Sequence, residues 1–130
     1  MLSDEHETVS RLVRGFIADV RTTTGLDVDL LVSRPGGRAE VSFRLTEGGS
    51  QVGEWVASPD ATPLDWLEWL FDWIQHDWVI EQLHGAWPRC PRHAHPLAVR
   101  RTKTDLEWAC PSEPALVAPV GAVTALVGPA

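Results

Sequence analysis

The spacing of hydrophobic positions changes several times along the chain, and each change marks an element. Val9, Leu12, Val13, Phe16 and Val20 recur every three or four residues, which predicts an amphipathic helix from about Asp4 to Thr22. Ser3 or Asp4 supplies its start, with Glu7 three residues after Asp4, and Gly25 lies just past its end. Leu26, Val28, Leu30 and Val32 then alternate with Asp27, Asp29, Leu31 and Ser33, the period of a strand with one buried face. Ala39, Val41, Phe43 and Leu45 alternate with Glu40, Ser42, Arg44 and Thr46 in the cleanest strand of the chain, and Gln51 to Ala57 reads as a third. Turns at Pro35-Gly36-Gly37 and Gly48-Gly49 join the three into an antiparallel meander, which needs a helix on one face to be stable.

A strong start signal follows. Thr62 is a good N-cap, Pro63 suits the first helical position, and Asp65 can close a capping box. The helix is expected to run from Pro63 to about Leu83 and stop at Gly85, with Pro88 beyond. Its polar face holds Asp65, Glu68, Asp72, Gln75 and His76, about a third of the circle, and the apolar remainder is nearly twice what covering one sheet requires. Leu67, Leu70, Phe71, Ile74 and Trp78 are expected to face the meander. The flank formed by Trp66, Trp69 and Trp73 then needs a second surface, either the C-terminal segment or another protein chain, because aromatic clusters mark interfaces. Leu97 to Arg101 and Leu106 to Cys110 read as a hairpin about Thr102-Lys103-Thr104-Asp105, followed by a short strand near Ala115 to Val120. The expected fold class is therefore α+β: an N-terminal helix, a three-stranded antiparallel meander, a long second helix and a C-terminal zinc-ribbon-like β-hairpin. The chain reads as a single domain, with residues 1–85 as an α-β-β-β-α body, 86–121 as a Cys/His module and 122–130 as a tail.

The chemistry is concentrated in that module. Cys90-Pro91-Arg92-His93 and Cys110-Pro111-Ser112-Glu113 share one local string, Cys-Pro-x-ligand, and 16 residues separate them. With His93 and Glu113 standing in for cysteine, this is the two-knuckle spacing of a zinc ribbon. Two such turns brought face to face aim four side chains at one point, as tetrahedral zinc requires. His95, held extended before Pro96, competes with Glu113 for the fourth place. Three readings stay open: a bound zinc ion, an empty degenerate ribbon whose cysteines are plain core, and a Cys90–Cys110 disulfide in an oxidising compartment.

The segment Trp87-Pro88-Arg89-Cys90-Pro91-Arg92-His93-Ala94-His95-Pro96-Leu97, followed by Trp108-Ala109-Cys110-Pro111, resembles a family of short uncharacterised actinobacterial proteins. These carry a W-P-x-C-P-x-H-x-H-P-L string, then W-x-C-P and a closing apolar strand. The resemblance covers residues 87–121 and implies a compact Cys/His module at the end of a variable α+β body; it implies no activity.

Composition narrows the field further. A net charge of -7 disfavours nucleic acid and anionic membranes as partners. From Leu45 to Pro88 there are eight acids and no Lys or Arg, and from Arg89 to Lys103 five basic residues and no acid, so the two segments are expected to lie side by side. The amino terminus shows no secretory pattern, and no stretch approaches the roughly 18 apolar residues of a membrane span, so the expected compartment is the cytoplasm. No phosphate loop or nucleophile elbow occurs, and no catalytic residue is assigned. The pattern favours a non-catalytic protein-interaction or adaptor module with a structural zinc site, its partner a protein of unknown identity or a second copy of the chain. The alternatives are a small zinc-dependent hydrolase with Glu113 as base, and an immunity-type inhibitor that presents its acidic helix to a basic partner.

Overall fold

The computed structural model describes residues 2–33, 42–47, 50–56 and 62–128. Helix α1 spans Leu2–Thr24 and is followed by β1 (Val28–Ser33), β2 (Ser42–Glu47) and β3 (Ser50–Val56). These strands form an antiparallel sheet in the order β1-β2-β3, with Val28 opposite Glu47, Phe43 opposite Trp55 and a bulge between Leu45 and Thr46. The turns expected at Pro35-Gly36-Gly37 and Gly48-Gly49, and the start of the second strand at Ala39 and Val41, lie outside the described residues.

The long helix begins where its caps dictate. In α2 (Pro63–Ile74) the Thr62 hydroxyl accepts from the Asp65 N–H, and the Asp65 carboxylate reaches back to Thr62, closing the capping box. The helix then widens into a π-helical segment (Gln75–Val79), tightens again in α3 (Ile80–Leu83), and stops at His84 in the left-handed conformation with φ 55. A second antiparallel sheet follows, β4 (Ala98–Arg101), β5 (Leu106–Ala109) and β6 (Val117–Pro119), in that order. Trp108 pairs with Val99 on one side and Ala118 on the other. A short helix α4 (Thr124–Val127) ends the described chain, where the sequence pattern gives only a tail. The α+β class and the element order through the long helix stand as expected. Among the described residues, no helix is long and apolar enough to cross a membrane.

Among the described residues, one core joins α1, β1, the long helix and the C-terminal sheet, and it corrects the expected role of the long helix. Instead of resting mainly on the meander, α2 packs against α1 and β4, while the meander attaches through β1 to α1. Phe71 stacks on Phe16 of α1 at a centroid distance of 4.2 Å, and Phe16 in turn meets Trp108 and Trp87. On a wheel of about 100° per residue, the buried arc runs from Trp66 through Leu70, Ile74, Leu67, Trp78 and Phe71 to Gln75. Gln75 therefore leaves the polar face assigned to it and is fully buried. The other edge of the apolar arc is left in solvent: Trp69 is 57% exposed and Trp73 half-buried, whereas Trp66 is fully buried. The expected tryptophan trio is thus split, and Trp66 has no surface to offer a partner. The acidic and basic segments do meet, through Arg101, which pairs with Asp65 and donates its N–H to Glu68 at 3.0 Å.

Two features lock α1 to the C-terminal half. Gly15 lies so close to the turn after β6 that a Cβ there would sit 3.0 Å from both the Gly121 Cα and the Val120 carbonyl oxygen. One helical turn on, the buried carboxylate of Asp19 accepts from the Trp108 indole N–H at 2.8 Å and the backbone N–H groups of Gly121 and Val123 at 2.6 and 3.2 Å. Burial pushes the Asp19 carboxyl above its ordinary 3.8 and outweighs the three donors, which pull it down.

Alanine for glycine inside a helix normally stabilises by about 0.5–1 kcal/mol. Here Gly15→Ala is expected to destabilise by about 1–3 kcal/mol, because the new methyl meets backbone that must move. Denaturant unfolding reads the sign directly, and a stabilised variant would refute the close packing. Asp19→Ala strands three buried donors and is expected to cost about 3 kcal/mol or more. The raised carboxyl also sets a pH dependence. Between 3.8 and its raised folded value the native chain holds a proton that the unfolded chain has lost, so stability attributable to Asp19 falls as pH rises through that window. The stability advantage of wild type over Asp19→Asn should shrink across the same window.

Candidate metal centre

Two short turns build the site, and neither relies on regular secondary structure. The first is a narrow loop closed at its base by the Leu97 N–H on the Pro88 carbonyl (2.7 Å), with Arg89 bridged to Pro96 and the Cys90 N–H on the His95 carbonyl at 3.1 Å. Cys90, His93 and His95 ride on this loop. The second follows β5, where the Cys110 N–H donates to the Leu116 carbonyl (3.1 Å) and the Leu116 N–H to the Glu113 carbonyl (2.9 Å).

Both turns are anchored from below by buried polar groups. Gln75 donates through Nε2 to the carbonyls of Trp87 (2.9 Å) and Leu97 (2.6 Å), the two ends of the first loop. The π-helical widening starts at Gln75, whose own N–H still bonds to the Phe71 carbonyl in the α register. Trp87 and Trp108, which precede the two cysteines, lie edge to face at 5.4 Å and each donates its indole N–H to α1, to Thr23 and Asp19 respectively. The tryptophan in each string is therefore the foot of its turn.

With the turns so placed, the Cys90 sulfur, the Cys110 sulfur and a His93 ring nitrogen converge, all within 4.8 Å of one another. His93 Nδ1 is 3.3 Å from Cys90 Sγ and 3.4 Å from Cys110 Sγ. Tetrahedral zinc, with bonds near 2.3 Å to sulfur and 2.0–2.1 Å to nitrogen, holds its donors about 3.5 Å apart. Both cysteines are buried and both are free thiols, so the disulfide reading does not describe this state. Burial pushes the Cys90 thiol up, but the backbone N–H of Arg92, the His93 ring, Cys110 and the backbone N–H of His93 together bring it down from 9.0 to about 7. The second sulfur has a matching backbone donor, the Glu113 N–H at 3.2 Å.

The remaining two candidates separate by geometry. Glu113 places its carboxylate 3.5 Å from His93 Nε2, on the far side of the ring from the sulfurs, and Arg92 donates to its other oxygen at 3.0 Å. A carboxylate there favours a proton on Nε2, while Nδ1 is the ring atom that faces the two sulfurs. His95 stacks on His93 at 5.0 Å, places Nδ1 3.1 Å from the Pro96 carbonyl, and turns Nε2 toward Cys110 Sγ (3.9 Å) and Ser112 Oγ (3.4 Å). Because a carbonyl only accepts, Nδ1 carries the proton and Nε2 carries the lone pair. Arg92, Gln75, Asp19 and Thr23 all escaped the sequence reading. The tryptophan shortly before each cysteine, Trp87 before Cys90 and Trp108 before Cys110, is the one signal in the sequence that points to the anchors. Comparisons with protein-family models, curated proteins and solved structures find no match to this chain.

Replacing Gln75 with methionine keeps the shape and removes the donors, leaving the Trp87 and Leu97 carbonyls unpaired. The expected cost is about 2 kcal/mol of stability. Hydrogen exchange should quicken at the Cys90 and Leu97 amides before it changes in α1, and uniform quickening would mean that Gln75 does not act on this loop.

Proposed function

We propose that the chain is a non-catalytic protein-interaction module whose C-terminal half is knitted by one structural zinc ion in a zinc-ribbon-like site. The observation that carries the metal reading is the convergence of two thiols and one imidazole nitrogen, with the backbone N–H groups of both turns directed at sulfur. Cys90, His93 through Nδ1 and Cys110 are three ligands, and His95 through Nε2 is the fourth. This donor set of two sulfurs and two nitrogens suits tetrahedral zinc, and four protein ligands make a closed, structural site. Glu113 serves outside the coordination sphere, orienting His93 as carboxylates commonly do for metal-bound imidazoles. That role also weighs against the hydrolase alternative, since a carboxylate engaged with both His93 and Arg92 is not free to activate water. The adaptor half of the reading rests on Trp69, whose indole stands 57% exposed on a negatively charged chain.

Metal analysis of the purified chain tests the proposal. One zinc per chain is expected, and exhaustive chelation should lower the melting temperature. Cobalt(II) substitution should give the intense visible bands of a tetrahedral site with sulfur ligands, altered in form by His95→Ala. Glu113→Gln should preserve that spectrum and weaken zinc binding by about 10–100-fold. Absence of metal together with an unchanged melt would overturn the reading. A spectrum altered by Glu113→Gln and untouched by His95→Ala would exchange the two residues' roles.

A further inference from the structure

Cys90 and Cys110 offer more than a pair of ligands. They are reduced, their sulfurs lie within 4.8 Å, and one imidazole nitrogen stands beside both. Closing a bond of about 2.05 Å between them needs under about 3 Å of sulfur movement, on turns rather than on rigid strands. The turns also keep their positions by bonds that involve no metal: Gln75 on Trp87 and Leu97, Cys90 on His95, and Cys110 on Leu116. Loss of the ion would therefore leave the thiols facing each other. A cleft lined by Arg89, Cys90, Pro91, Arg92 and His93 reaches the first cysteine from solvent.

We propose that Cys90 and Cys110 form a modification site at which a hydroperoxide converts the metal-binding dithiolate into an intramolecular disulfide and releases the ion. The proposal rests on the zinc reading above. The Cys90 thiolate attacks the O–O bond, takes one oxygen as a sulfenic acid and expels the other as alkoxide, or as hydroxide from hydrogen peroxide. The Cys110 thiolate then attacks the Cys90 sulfur, forms the S–S bond and expels hydroxide. Two electrons pass from the sulfurs to the peroxide, and the expelled anions take two protons from solvent. The ion, left with two neutral imidazoles, departs. The nearby second thiol diverts the sulfenic acid before further oxidation to the irreversible sulfinic acid.

The test treats the full chain with hydrogen peroxide, once zinc-loaded and once after chelation, and follows intact mass, free thiols and zinc released to a chromogenic chelator. The zinc-loaded chain is expected to lose both thiols and its zinc in step, with the disulfide mapped to Cys90 and Cys110 by peptide mass. A dithiol reductant plus zinc should reverse both changes. Cys110→Ser, with its fold checked by circular dichroism, should instead accumulate oxygenated Cys90 and no internal disulfide. Intermolecular links or sulfinic acid in place of that disulfide would overturn the proposal, as would zinc and thiols surviving peroxide that oxidises the chelated chain. A purified chain that holds no zinc sinks the metal reading alone; disulfide formation in that chain upholds the modification site, and its failure to form overturns it.

Discussion

Two indole N–H groups donated to one face of α1 hold the C-terminal half of this protein in place. Asp19 and Thr23, a single helical turn apart, receive Trp108 and Trp87, and Thr23 in turn donates its hydroxyl to the Asp19 carbonyl. Asp19 also receives the backbone of Gly121 and Val123, so one buried carboxylate fixes the middle strand of the second sheet and the turn that closes the chain. Such a group is costly to bury, as its raised carboxyl shows, and is tolerated because it meets three donors. The close approach of Gly15 to Gly121 belongs to the same joint: only without a Cβ can the helix come near enough for Asp19 to reach.

From this joint the geometry of the candidate centre follows. Cysteine turns at the ends of short strands have little rigidity of their own, because loops are held by what their backbone groups bond to. Here each turn has a tryptophan foot on α1, and the first has a second support in Gln75 from the long helix. The Cys90, His93 and Cys110 donors are thereby brought near tetrahedral spacing on turns held by a hydrophobic core and buried hydrogen bonds. A chain of 130 residues has a core of its own, and the Cys90, His93 and Cys110 cluster lies on turns at the edge of that core.

Most of the architecture was legible because it depends on local period and capping. The spacing from Val9 to Val20, the Thr62-Pro63-Asp65 start and the hairpin about Thr102 to Asp105 each carry their own signal, and all three appear close to the expected bounds. On a wheel of about 100° per residue Gln75 falls at the border between the apolar and polar arcs, its amide reads as polar, and only the carbonyls of Trp87 and Leu97, distant in sequence, account for its burial. The apolar arc is broad, but its solvent edge falls at Trp69 rather than across the whole trio, since nothing local distinguishes Trp66 and Trp73 from it.

The site shows the same division between composition and geometry. Of its five candidate residues, Cys90, His93 and Cys110 converge on one point, while Glu113 contacts His93 and His95 contacts Cys110 beside it. Their roles were not legible, since Glu113 and His95 are equally good ligands by type. The atoms around each decide between them. Glu113 lies behind the His93 ring, beside Nε2 and under Arg92, where it can orient the imidazole without crowding the sulfurs. His95 has its Nδ1 proton committed to the Pro96 carbonyl and its remaining lone pair turned toward Cys110. A residue type names the chemistry available, but which nitrogen holds the proton is set by a second partner, usually distant in sequence. For His93 that partner is 20 residues away, on the other turn. The two strings thus act on each other twice, through the point where their donors converge and through the carboxylate that the second lends to the histidine of the first.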